Sequence, residues 1–328
     1  MRKYFLLAFI YCVTIRSVFA YTPVNAAIVI NTKTGEIIYS YNSEQKTQPA
    51  SLTKMMTLLL TFKALQQKKV SMSTLICISK NAASQQPCSL GLKAGDKISL
   101  GDAIMTLITK SANDISVAIA EHLGKDEKTF IALMNKEAKR LDLKSTLFLN
   151  PSGWTNHRQL TTVKDMAKLA RALLSEYPCY YHLFATRQFC FRNKCFKNHN
   201  NLLGKNGDIV VDGIKTGFVN ASGFNLAASA RRGKDRLIAV VLGGKTGKQR
   251  DALVKLLFQK CFKKLVDERR MSRYPVQIAL AGRNTKGLEK SSIKNNEKPE
   301  SPMTSGIYYR IYNHSDEKMG RCGQHKIN

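Results

Sequence analysis

The sequence predicts an α+β fold: an antiparallel sheet flanked by helices, with a mostly helical subdomain inserted between the sheet's two halves. Three observations carry the prediction. β-branched runs bounded by turn residues open the chain and return in its last third. The stretches between them place apolar residues at helical spacing. A further amphipathic stretch follows the last β-like run. Hydrophobic residues make up 44% of the 328, enough for a sizeable core and ordinary for a globular chain.

Ala26 to Ile30 is a β-branched run, Thr32-Lys33-Thr34-Gly35 a turn, and Glu36 to Tyr41 the return strand of a hairpin. Ser51 to Gln67, just after Pro49, has Leu52, Met55, Met56, Leu59, Leu60, Phe62 and Leu65 at the spacing of a mostly buried helix. Ser99-Leu100-Gly101-Asp102 leads into the apolar stretch Ala103 to Ile108. Asp114 to Leu123 and Glu127 to Leu141 read as helices separated by Gly124. Thr161 to Leu174 is another, capped by Thr161 or Thr162. Phe189 to Phe196 reads as a small hairpin and Ile209 to Val211 as a short strand before Asp212-Gly213. Phe224 to Ala230 and Arg236 to Leu242 are strands joined by a basic turn, and both are expected to pair with the opening hairpin. Asp251 to Val266 is a helix with Leu253, Leu257, Cys261 and Leu265 on one stripe. Its lysines suit the solvated face of a core-packing helix, with membrane-surface binding as the alternative. Beyond residue 271 the pattern decays into a basic tail, and 286–305 has a disordered composition.

Lys and Arg number 52 against 23 Asp and Glu, a formal charge of +29. Such a chain seeks nucleic acid, an anionic membrane or another acidic polymer. The first twenty residues choose among these. Arg2 and Lys3 precede an apolar run from Tyr4 to Ile15, and Val18-Phe19-Ala20 is a small-x-small cleavage pattern. That is a secretory signal over residues 1–20, its apolar run too short for a bilayer, which takes roughly 20 residues. Export, in a bacterium to the periplasm, excludes nucleic acid as a partner. It leaves acidic wall polymers and peripheral contact with an anionic membrane. The charge reads equally well as the habit of a lysine-rich proteome.

Ser51-Leu52-Thr53-Lys54 sets a hydroxyl and an amine three residues apart at a helix start, on one helix face. A neutral lysine there can take the serine proton and create a nucleophile. Alone the pattern is weak. Ser111-Ala112-Asn113 follows at the break before a helix, and Lys215-Thr216-Gly217 at what reads as a strand start. In this order the three motifs match the penicillin-recognising serine acyltransferases. The surrounding segments Pro49–Thr57, Ser111–Asp114, Asn150–Gly153, Asp165–Arg171, Asn198–Gly204 and Val211–Phe218 resemble the D-alanyl-D-alanine carboxypeptidases, the low-molecular-mass penicillin-binding proteins of peptidase family S11. The resemblance runs from about residue 24 to 265.

It implies a β-lactamase/transpeptidase-like fold, with a serine DD-peptidase catalytic domain over residues 21–270 and a tail over 271–328. Ser51 would be the nucleophile, Lys54 its base and Ser111 a proton relay. Asn113 would hold the substrate amide and orient Lys54. Lys215 and Thr216, with Gly217 and Phe218 beside them, would bind substrate, and the backbone N–H groups of Ser51 and Phe218 would form the oxyanion hole. The substrate would be the D-Ala-D-Ala end of peptidoglycan stem peptides, with β-lactams as inhibitors and neither metal nor organic cofactor. An endopeptidase of D-Ala cross-links shares the motifs. So does a β-lactamase, but Thr146 stands where the class A enzymes need a glutamate. A non-catalytic wall-binding scaffold has no use for a paired nucleophile and base. Relatives often add a β-rich domain and an anchor helix, for which 271–328 is too short, so attachment through the tail is not expected.

Other features compete for attention. Lys245-Thr246-Gly247 repeats the third motif between a strand and a helix, the wrong context. Gly244-Lys245-Thr246 is no phosphate loop, because Ala239 stands where that loop needs glycine. Cys190, Cys195 and His199 lack a fourth partner for a metal site. If Arg192-Asn193 is a two-residue turn, Cys190 and Cys195 lie opposite each other and suit a disulfide. Cys77 with Cys88 is a weaker pairing. His122 and His157 read as surface residues, and Trp154 as packing at the rim of the site.

Overall fold

A computed structural model describes residues 24–273, with side chains through Arg269. The strands are β1 (Ala26–Asn31), β2 (Ile37–Tyr41), β3 (Leu75–Cys77), β4 (Lys97–Ser99), β5 (Gln188–Phe191), β6 (Lys194–Lys197), β7 (Gly204–Asn206), β8 (Ile209–Val219), β9 (Gly223–Arg232) and β10 (Asp235–Gly244). The α-helices are α1 (Lys54–Gln66), α2 (Lys80–Ala83), α3 (Leu100–Thr109), α4 (Asn113–Gly124), α5 (Glu127–Arg140), α6 (Val163–Glu176), α7 (Pro178–Tyr181) and α8 (Gly247–Arg273). A 3₁₀ turn, Ala50–Thr53, leads directly into α1.

The main sheet runs β2-β1-β10-β9-β8-β7, all antiparallel. The opening hairpin therefore shares one sheet with the later strands, but only β10 pairs with it, against β1; β9, also expected beside the hairpin, lies between β10 and β8. Side chains alternate across a strand, and here both faces are covered. Ile28, Ile30, Ala227, Ile238 and Val240 join the core of the helical subdomain. Their neighbours Ala27, Val29, Ala228, Leu237 and Ala239 pack instead on Val254, Leu257, Phe258, Cys261 and Phe262 of α8. This double burial is why the strands read as continuous apolar runs.

The helices start where the capping residues stand. Thr162 caps α6 by accepting from Asp165 N, and Ser99 caps α3 by accepting from Asp102 N. The hairpin β5–β6 forms with Cys190 opposite Cys195, and the two are joined in a disulfide. Cys77 and Cys88 are both free thiols, so the weaker pairing does not form.

Three expectations need correction. Ile209–Val211 is not a separate short strand, and Lys215-Thr216-Gly217 is not at a strand start. Both belong to one eleven-residue strand, β8. Its glycines look like breaks in sequence but mark close approaches. A Cβ at Gly213 would lie 2.9 Å from the Tyr181 hydroxyl. The helix expected to end at Val266 continues to Arg273. The chain's compact unit closes at Val266, within that helix. The signal at 1–20 and the stretch 286–305 lie outside the described residues.

Candidate active site

Ser51 sits in the 3₁₀ turn that opens α1, and Lys54 is the first residue of that helix. The amine reaches three oxygens: Ser51 Oγ at 3.1 Å, Asn113 Oδ1 at 2.7 Å and the Ser152 carbonyl at 2.6 Å. Lys54 has no exposed surface. Burial holds its pKa well below the usual lysine range, and the nearby Lys215 ammonium pushes it the same way. A neutral amine has two N–H groups and one lone pair. The carbonyl of Ser152 and the amide oxygen of Asn113 take the two donors, which leaves the lone pair for the Ser51 hydroxyl.

Three segments hold that geometry. Asn113 begins α4, donates from Nδ2 to the Pro87 carbonyl at 2.6 Å and from its backbone to the Cys88 carbonyl at 2.8 Å. Asp114 fixes the same loop by accepting from the backbone of Leu90 and Gly91. Ser152 is held in a loop where Thr57 donates to the Pro151 carbonyl and Asn150 accepts from Gly153 N. Gly153 has φ +81°, and a Cβ there would stand 1.8 Å from the Ala50 carbonyl oxygen. Only glycine fits.

Ser111 occupies the turn before α4 at φ +63°, and Ala50, the residue before Ser51, has φ +49°. Non-glycine residues seldom adopt this region, and such strain gathers at working sites. The Ser111 hydroxyl is buried and has no hydrogen-bond partner among the described residues. Its donor and acceptor capacity is uncommitted among the described residues.

β8 forms the opposite wall. Lys215 is buried, donates to the Thr216 carbonyl at 3.1 Å, and burial brings its pKa down to about 7, with Arg250 adding to the fall. Gly217 lies against the nucleophile's turn, since a Cβ there would be 3.1 Å from Ser51 N and 3.2 Å from the Pro49 carbonyl. Phe218 is 51% exposed and packs on Phe224, the rings tilted by 37° with centroids 4.4 Å apart. With Trp154 it makes an apolar rim.

Ser51, Ser111, Thr216, Gly217 and Phe218 line a single cleft of about 720 Å³. Lys54, Asn113 and Lys215 sit buried beside it. Every sequence-predicted site residue thus converges on one place. The same cleft has walls that sequence reasoning missed: Cys88, His199 and Arg250. Arg250 comes from the first turns of α8, where it is held by Asp251 and the Asn225 carbonyl. His199 keeps an exposed edge, and its pKa is pushed down to about 4 by desolvation in the cleft wall and by the nearby charges of Lys215, Lys110 and Arg250. His199 stands in the Asn198–Gly204 segment that carries the resemblance, a signal that was present without a role attached. The second Lys-Thr-Gly lies at the β10–α8 junction, while His122 and His157 are exposed on a helix and a loop.

This arrangement sets a serine hydroxyl beside a buried lysine amine, on a sheet flanked by helices, the layout expected of the penicillin-recognising serine acyltransferases. Comparison with known proteins agrees. The family model for D-alanyl-D-alanine carboxypeptidases, peptidase S11, matches residues 20–246, and the chain belongs to this family. It is 37% identical to the D-alanyl-D-alanine carboxypeptidase DacF of Bacillus subtilis over 70% of this chain and 59% of that one. The chain therefore spans about three-fifths of the length of that relative. Among solved structures, penicillin-binding protein 5 of Haemophilus influenzae matches with a TM-score of 0.70 and 30% identity, over 74% of this chain and 72% of that one. Penicillin-binding protein D2 of Listeria monocytogenes in an ampicillin-bound form matches with a TM-score of 0.67 and 28% identity, over 74% and 99%.

Proposed function

We propose that this protein is a serine-type D-Ala-D-Ala carboxypeptidase that trims peptidoglycan stem pentapeptides and is acylated by β-lactams. The observation that carries the reading is the desolvated Lys54 amine, with two fixed acceptors for its protons and its lone pair free for Ser51.

In this reading Ser51 Oγ gives its proton to Lys54 Nζ and attacks the carbonyl between the two D-alanines. The oxyanion is met by the backbone N–H groups of Ser51 and Phe218. The close approach of Gly217 to Ser51 N supports that pairing. Ser111, with its uncommitted hydroxyl, relays that proton from the Lys54 ammonium to the departing D-alanine nitrogen as the C–N bond breaks, which returns Lys54 to its neutral form. Lys215 and Thr216 receive the terminal carboxylate beside Gly217, and Asn113 holds the substrate amide while it orients Lys54. Neutral Lys54 then takes a proton from the water that attacks the Ser51 ester and returns it to Ser51 Oγ as the C–O bond breaks, which regenerates the serine.

The cleft supports a long-lived β-lactam adduct. None of its described lining residues is Asp or Glu. Thr146, in the place of the β-lactamase glutamate, is committed to Thr161 and Asp165. The Listeria protein solved with ampicillin is consistent with this.

The remaining proposals concern the whole chain. Residues 1–20 are an export signal, 21–270 the catalytic domain and 271–328 a basic tail, on a periplasmic protein in peripheral contact with anionic membrane. Sedimentation with membranes that survives high salt would contradict that location. The activity is tested by D-alanine release from a stem pentapeptide. Release that Ser51→Ala abolishes is the expected result, and no release refutes the proposal. Faster cleavage of a cross-linked dimer than of the pentapeptide would move the assignment to an endopeptidase.

A further inference from the structure

From Tyr177 to Gly207 the chain contains no Asp or Glu, yet it carries Arg187, Arg192, Lys194, Lys197 and Lys205. The centre of this segment is the β5–β6 hairpin, closed by the Arg192-Asn193 turn and clamped by Cys190–Cys195. Arg187, Arg192, Lys194 and Lys197 are all exposed. None forms an ion pair among the described residues. Downstream of the segment, by contrast, Arg232 is paired with Asp208 and Arg236 with Asp212. Aromatic rings of the hairpin meet two cations, its own Arg192 and Lys110 from the end of α3. The Arg192 guanidinium lies 5.4 Å from the Phe191 ring centre, and Lys110 Nζ lies 5.5 Å from that of Phe196.

The hairpin is joined to the cleft from two sides. Lys110 immediately precedes Ser111, and its charge is felt by His199 in the cleft wall. The strand β6 runs on through Asn198, which donates to the Arg187 and Thr186 carbonyls, straight to His199. A ligand seated in the cleft therefore has unneutralised positive charge beside it on a pre-ordered support. Pre-ordering lowers the cost of recruiting such a ligand.

We propose that the β5–β6 hairpin and Lys110 form an exosite for carboxylates on the peptide whose D-Ala-D-Ala end occupies the cleft. The proposal rests on the carboxypeptidase reading and adds to it a substrate class: acidic peptides, read through charges remote from the scissile bond. Such contacts are exposed and salt-sensitive, individually weak and collectively useful.

The test compares two pentapeptides ending in D-Ala-D-Ala, one with free side-chain carboxylates and one with them amidated. D-alanine release is measured for the wild-type protein and for the variant Arg192→Gln/Lys194→Gln/Lys197→Gln. Binding of both peptides to Ser51→Ala protein, with and without the hairpin changes, is measured separately. The wild type prefers the acidic peptide, and the variant loses about tenfold of that preference in both assays, from three exposed charge contacts. The preference shrinks as salt is raised. An unchanged preference, or an equal loss on both peptides, overturns the exosite. So does a variant that loses only its sedimentation with anionic phosphatidylglycerol vesicles, which would assign the hairpin to a membrane. If wild type releases no D-alanine from either peptide, the carboxypeptidase reading fails, and the binding assay still decides the exosite.

Discussion

The Lys54 amine stands 3.1 Å from the Ser51 hydroxyl, and its other contacts are both acceptors. In the proposed mechanism Lys54 is the proton acceptor for that hydroxyl. Replacing it with methionine keeps the packing and removes the base. Lys54→Met is expected to slow acylation by a fluorescent penicillin by about 10²–10⁴-fold, the usual contribution of general base catalysis. Circular dichroism should show the fold retained. A variant that acylates at the wild-type rate would remove Lys54 from the mechanism.

The two lysines predict the pH profile. Lys54 must be neutral to act as base, so activity rises with pH through its lowered pKa. Lys215 must be charged to hold a carboxylate, so kcat/KM falls as pH passes about 7. The sites are coupled, and the two limbs belong to the pair. A bound carboxylate stabilises the Lys215 ammonium, so the falling limb of kcat lies at higher pH than that of kcat/KM. Lys215→Gln removes the neighbouring charge, which raises the Lys54 pKa and moves the rising limb to higher pH. Steady-state rates from pH 5 to about 10 test each sign.

Stability follows the same groups with its own sign. Lys215 is protonated up to about 10.5 when unfolded and only to about 7 when folded. Between those values the unfolded chain binds more protons, so raising the pH stabilises the fold, by up to about 1.4 kcal/mol per pH unit for one group. Lys54 contributes in the same direction. Urea unfolding between pH 7 and 9 should show this rise, and Lys215→Met should flatten it.

Two glycines separate positioning from folding. Gly217→Ala puts a methyl group 3.1 Å from Ser51 N, which forces β8 and the nucleophile's turn apart by a few tenths of an ångström. Acylation should slow by about tenfold with little change in melting temperature. At Gly153 the added Cβ would meet the Ala50 carbonyl at 1.8 Å on a φ of +81°. Gly153→Ala should therefore destabilise the protein by about 3 kcal/mol or more, read from urea unfolding.

What was legible in the sequence follows from what residue type reports. The Ser51–Lys54 spacing, the Ser111–Asn113 turn and Lys215–Phe218 carry side-chain chemistry, and all converge on one cleft. The carbonyls of Ser152, Pro87 and Cys88 place Lys54 and Asn113, and a backbone acceptor has no signature in residue type. The strands β3 and β4 are three residues each, too short to show a period. β8 looked broken because Gly213 and Gly217 resemble turn residues, whereas each is a point where another segment presses on the strand. Arg250 reaches the cleft from the helix after the last strand, a long-range contact that local patterns do not encode.

The central claim is that Ser51 is an acylated nucleophile. Intact-protein mass spectrometry after incubation with benzylpenicillin tests it most directly. A stable gain of one penicillin mass, mapped by peptide digestion to Ser51 and absent from Ser51→Ala, is the result predicted here. No adduct on the wild-type protein, or an adduct that persists in Ser51→Ala, would contradict it.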